Sequence, residues 1–131
     1  MRKGVVMSEK WYNQPARELM PVMTQKGILK EIEIIEDLVD EMNIAGEDAA
    51  KCEATYKALY AQTRLSVRYL SKTKLTVEEV EAQATVQCEE AHLMYLIAQN
   101  KLTTTREALR AAQSRLDAWR SLGAGFRSAG G

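Results

Sequence analysis

Five cations, Lys57, Arg64, Arg68, Lys72 and Lys74, are the residues whose type and spacing most readily do chemistry in this chain. Arg64, Arg68 and Lys72 follow one another at intervals of four, which returns each side chain to the same face of a helix. Tyr60 stands one turn before Arg64. A phosphate backbone calls for a row of cations, and an exposed tyrosine offers a face on which an unpaired base stacks. A second basic stretch holds Arg106, Arg110, Arg115, Arg120 and Arg127, with Glu107 and Asp117 as its only acids. Guanidinium groups suit bidentate phosphate contacts better than ammonium groups do. Lys57, Tyr60, Arg64, Arg68, Lys72, Lys74, Arg106 and Arg110 are therefore the candidate nucleic-acid-binding residues. For both stretches the competing account is that the bases pair with acids elsewhere in the fold, as solvated surface pairs of small worth.

Other chemistry is poorly provided for. The acids Glu31, Glu33, Glu36, Asp37, Asp40 and Glu41 cluster without an accompanying His or Cys, a weak basis for a metal site. His92 is the only histidine, so two-histidine sites within one chain are excluded, and it lies beside an apolar seam. Cys52 and Cys88 lack metal-site spacing and read as free thiols in a reducing compartment. No GxSxG, P-loop or GxGxxG pattern occurs. We expect no enzyme activity, no catalytic or metal-binding residues and no cofactor.

Basic and acidic residues number 18 each, so the formal net charge is zero. The molecule as a whole exerts little pull on nucleic acid or anionic lipid, and any attraction must be local. No apolar run approaches the roughly 18 residues of a spanning helix, and the stretch before Met7, itself a plausible start, is too short for a signal peptide. The expected place of work is the cytoplasm, without a membrane partner.

These residues need long helices to position them. Between Gly27 and Leu122 stand one glycine, Gly46, and no proline, whereas a sheet protein would need turn residues every 8–12 positions or so. Apolar or small residues recur at Ile28, Ile32, Ile35, Val39, Met42, Gly46 and Ala49, then at Tyr56, Leu59, Thr63, Val67 and Leu70. Steps of three and four make this a coiled-coil-like seam, with a slip near Cys52. Thr76-Val77-Glu78-Glu79 has the form of a capping box that opens a second helix. The second seam reads Val77, Val80, Ala84, Cys88, Ala91, Tyr95, Ala98, Leu102, Thr105, Leu109, Ala112, Leu116 and Trp119. The fold class is all-α: a long antiparallel helical hairpin, or a three-helix arrangement if Gly46 turns the chain. An irregular arm over 1–26, with a short helix between Pro15 and Pro21, precedes hairpin arms over about 28–74 and 77–122. A flexible glycine-rich tail over 123–131 follows.

Folding at Leu75-Thr76 sets Ile32 opposite Trp119, Ile35 opposite Leu116, Ala49 opposite Leu102, Gly46 opposite Thr105, Tyr56 opposite Tyr95 and Val67 opposite Ala84. It leaves Cys52 and Cys88 roughly 16 Å apart by the helical rise, too far to bridge. Charge points to the same register. Residues 31–47 hold seven acids and no base and face Arg106, Arg110, Arg115 and Arg120; residues 57–74 hold five bases and no acid and face Glu78, Glu79, Glu81, Glu89 and Glu90. Apolar residues off the seam, Leu29, Ile34, Leu38, Leu93, Met94, Ile97 and Trp11 among them, are too many for a lone pair of helices to cover, so self-association is expected.

The run Tyr56, Ala58, Arg64-Leu65, Glu78, Glu81-Ala82, Tyr95-Leu96, Ala98, Arg106-Glu107-Ala108-Leu109 and Trp119-Arg120-Ser121-Leu122, with Phe126 and Arg127 in the tail, resembles small phage recombination mediators of the UvsY-like kind. The resemblance spans roughly residues 50–127. It implies a non-enzymatic, homo-oligomeric accessory factor that binds single-stranded DNA and helps a recombinase load onto it, in the cytoplasm of a bacterial host. The other function class compatible with the residues is a helical adaptor, chaperone or inhibitor that docks on a larger protein without touching DNA.

Overall fold

The computed structural model describes the backbone of residues 2–130 and the side chains of residues 21–128. It is an all-α hairpin of three helices, α1 (Arg2–Leu70), α2 (Val77–Gln87) and α3 (Glu89–Gly130). The chain forms two compact units, one of Met1–Val39 with Ala108–Gly131 and one of Asp40–Glu107. In each, a stretch of α1 runs antiparallel to a stretch of α3. Trp11, expected to be an uncovered apolar residue, lies outside the described side chains.

The second unit contains the reversal. After Leu70 the chain leaves the helix, with the Ser71 N–H still donating to Val67 O (3.2 Å) and the Ser71 hydroxyl to Thr73 O (2.5 Å). Thr76 is the N-cap of α2: its backbone is extended (φ −70°, ψ 160°) and its side-chain oxygen accepts from the Glu79 N–H at 3.2 Å, satisfying a donor the first turn leaves orphaned. α2 and α3 are separated by Cys88 alone (φ −100°, ψ 13°), whose thiol donates to the Thr63 hydroxyl at 3.4 Å. α1 passes through Gly46 unbroken, so the third helix arises at Cys88 and not at Gly46.

Small residues let the helices approach in this unit. Ala45 and Ala49 are buried around Leu102, with Met42 and Ala98 against them, and Val67, Val80, Ala84 and Cys88 continue the core toward the turn. A Cβ at Gly46 would meet only Leu102 Cδ1, at 3.9 Å. Gly46 thus faces Leu102 rather than Thr105, with room to spare. Past Tyr56 the seam steps to Tyr60, Thr63 and Val67, so Leu59 and Leu70, like Val77, stay exposed. No slip occurs at Cys52, because Cys52 and Glu53 are half-buried and bridge Ala49 to Tyr56 in ordinary steps.

In the first unit, Trp119 lies on Gly27 and not on Ile32: a Cβ at Gly27 would come within 2.5–2.7 Å of three indole carbons. Thr24 packs at Gly123, and Arg115 Nε donates to Glu31 Oε1 at 2.8 Å. All three contacts sit about one helical turn away from the register expected of a fold at Leu75-Thr76. In the other unit α1 stops at Leu70 and the reversal spans 71–76, yet Thr63 meets Cys88 and Tyr56 meets Tyr95 as expected, so the offset is confined to the first unit's contacts. Val39, placed on the seam by its spacing, is exposed.

Both ends of the hairpin differ from expectation. α1 begins at Arg2 and continues through Pro21, and α3 runs through Gly123 and Gly125 to Gly130. Local propensity argues against helix at these positions, yet Thr24 is 3% exposed beside Gly123, and Phe126 is half-buried near Pro21 and Ile28. Packing between the two chain ends outweighs the helix-breaking residues there.

Candidate nucleic-acid interface

Six of the eight candidate residues lie together where α1 meets the reversal in the second unit. Residues 57–70 hold no glycine or proline and sustain the helix, and spacings of seven and four carry Lys57, Arg64 and Arg68 onto one edge. Lys72 and Lys74 extend the basic character into the connection.

Lys57 is paired within its own helix, its Nζ 2.7 Å from Glu53 Oε1. The hydrogen bond to Glu53, helped by the carboxylate charge, raises its pKa above the usual 10.5, so the ammonium stays charged at any physiological pH. Tyr60 is half-buried rather than open: its ring tilts at 51° on Tyr56 with centroids 5.9 Å apart. Tyr56 in turn stacks on His92 (4.8 Å, 27°) and Tyr95 (5.9 Å, 16°). His92 is therefore a member of an aromatic stack that spans both helices, and Tyr56 meets Tyr95 as the seams require.

Arg64 sits over the Tyr60 ring, its guanidinium carbon 5.9 Å from the centroid, within cation–π range. Its Nη2 reaches Glu81 Oε1 only at 3.9 Å, a loose contact of two part-exposed groups. Arg68, Lys72 and Lys74 are exposed and form no ion pair among the described residues. Glu78, Glu79, Glu89 and Glu90, the acids that should have faced this row, are likewise exposed without a basic partner among the described residues. The neutralisation suggested by charge order thus reduces to one long contact.

Beside the row runs an open groove of about 340 Å³, lined by Ala61, Arg64, Leu65, Arg68 and Val80. Two guanidinium-bearing side chains border an apolar floor, a combination able to hold a phosphate and a flat apolar group together. Its sequence signal was available: Ala61 and Leu65 each precede one of Arg64 and Arg68 by three residues on the same helix.

The remaining two candidates are elsewhere. Arg106 is exposed on α3 beyond Leu102, which packs on Ala45 and Ala49, so the helical rise sets it roughly 30 Å from Arg64. Arg110 is exposed in the first unit. Of the four arginines expected to face the acidic run, Arg115 alone is paired among the described residues, with Glu31. Among the described residues no group of His, Cys, Asp or Glu is arranged to hold a metal ion, and no helix is long and apolar enough to cross a membrane. Cys52 and Cys88 are free thiols. No protein-family model, curated protein or solved structure matches this chain.

Proposed function

We propose that this chain is a recombination-mediator-like accessory protein that holds single-stranded DNA along the α1 edge of Lys57, Arg64 and Arg68 and the following connection with Lys72 and Lys74, and presents it to a recombinase. The observation that carries the reading is that Arg68, Lys72 and Lys74 have no ion pair among the described residues, and that Arg64 meets Glu81 only at 3.9 Å. Cations left unneutralised inside the chain are available to phosphates, and each phosphate they neutralise releases counterions. The groove floored by Ala61, Leu65 and Val80 lies where an unstacked base would sit.

With no net charge, one protomer has a weak field of its own. The reading therefore includes self-association, which gathers several basic rows into one particle and raises affinity through effective concentration. It places the protein in the cytoplasm, and for a phage-encoded chain in the bacterial host.

Exposed apolar side chains support a second reading, that of a helical adaptor docking on a larger protein: Leu65, Tyr69, Leu70 and Val86 are all more than half exposed. Titrating the protein with an oligo-dT strand over a range of salt separates the two. Four phosphate contacts give a logarithmic salt slope of about −3 per protomer. Absent or salt-independent binding assigns the adaptor function instead.

A further inference from the structure

We infer that the outer face of α3 in the second unit, centred on Leu93 and Ile97, docks a second copy of this chain, α3 against α3 in antiparallel register about a two-fold axis. The inference rests on the self-association in the reading above and gives it a surface.

The inner face of this stretch is occupied, since Ala91, Tyr95, Ala98 and Leu102 turn toward α1. Leu93 and Ile97 stand one turn apart on the opposite side, 54% and 55% exposed, and Met94 and Leu96 border them at 54% and 49%. Isolated surface leucines need no explanation, but four large apolar side chains within one and a half turns of one helix make a contiguous patch. A helix apolar on both faces has a second neighbour.

Charge selects that neighbour and its direction. Glu90 lies one turn before Leu93 or Met94, and Lys101 one turn after Ile97. They are eleven residues apart, close to three whole turns, so they project from the same edge of the helix. In an antiparallel pair, like edges meet. When Leu93 of one copy packs on Ile97 of the other, Glu90 therefore comes opposite Lys101, twice by symmetry, as an isologous interface requires. A parallel pair would set Glu89 and Glu90 against the same acids of the second copy. The α1 cation row takes no part in this contact, so pairing leaves both rows free for phosphates.

Light scattering over the micromolar range tests this, run on the parent chain, Leu93→Glu/Ile97→Glu, Glu90→Lys, Lys101→Glu and Glu90→Lys/Lys101→Glu. The parent is expected at twice the 14.7 kDa chain mass or a larger even multiple. Leu93→Glu/Ile97→Glu should at least halve that mass with an unchanged helical circular dichroism spectrum, as all the altered side chains are exposed. Each single charge reversal should weaken association roughly tenfold, two ion pairs being lost, and the double reversal should restore it. A particle whose mass survives Leu93→Glu/Ile97→Glu overturns the α3 interface while self-association stands. A double reversal no better than the singles overturns the antiparallel register. A parent chain that stays at 14.7 kDa overturns the interface and the self-association together, and salt-dependent oligonucleotide binding by that monomer would still uphold the nucleic-acid reading.

Discussion

The two units join α1 to α3 by opposite means. In the first, one bulky side chain lies on a residue with none: the Trp119 indole fills the space at Gly27, where even a methyl group would overlap it. One turn on, the contact is polar, with Glu31 only 7% exposed and its second carboxylate oxygen buried without a hydrogen-bond partner among the described residues. In the second unit the contact is made by alanines around Leu102, then by stacked rings, and the glycine of that stretch faces nearly open space. A seam of small residues spreads the fit over many positions, whereas a tryptophan on a glycine concentrates it in one. The first unit should therefore be brittle and the second tolerant, which suits an end of the hairpin that carries exposed cations and apolar side chains.

The sharpest way to break this contrast is Gly27→Leu. The indole cannot move aside without leaving its seam position, so the substitution should cost about 3 kcal/mol, read as a lowered denaturant midpoint. Arg115→Ala comes next. It strips the buried Glu31 carboxylate of its charged partner, but Arg115 is half exposed, so water takes up part of the loss and the cost should be about 2 kcal/mol. Glu31→Leu/Arg115→Leu, which removes both charges, should recover most of it in the same unfolding experiment. The smallest effect has the opposite sign. Gly46→Ala adds a Cβ that reaches only an ordinary contact with Leu102, and replacing glycine within a helix should stabilise by about 0.5–1 kcal/mol. A comparable loss on Gly46→Ala would erase the distinction between the units.

Most of the second seam was legible because a helix repeats its buried positions every three to four residues, and that spacing is written in the chain. From Val80 to Trp119 the expected positions turn inward, with Val77 the exception. The register was less legible. Thr63 on Cys88 and Tyr56 on Tyr95 keep the expected pairing, whereas Trp119 on Gly27 and Arg115 on Glu31 lie about a turn from it, an offset that the spacing of apolar residues does not display. Gly46 drew attention because it stands alone, while Gly27, at the margin of an expected irregular arm, proved to be the residue a neighbour depends on. Pro21, Gly123 and Gly125 suggested helix ends because local propensity is all that a sequence displays at a terminus; the packing of Thr24 at Gly123 is a long-range fact. In the candidate interface, charge order set bases against acids along the chain but could not convey distance. Pairing needs side-chain ends within about 4 Å, and Arg64 and Glu81 alone, of the groups facing across the reversal, approach that limit.

The reading of the second unit turns on whether its cations serve the fold or a ligand, and Arg64→Glu/Arg68→Glu measured in parallel for melting temperature and oligo-dT affinity decides between them. Neither side chain holds a close ion pair among the described residues, so the melting temperature should stay within about 2 °C of the parent, while affinity at low salt should fall by roughly two orders of magnitude as two attractive phosphate contacts become repulsive. A variant that melts well below the parent while binding the strand as tightly as the parent does, or a parent chain that binds no strand at all, would contradict the account.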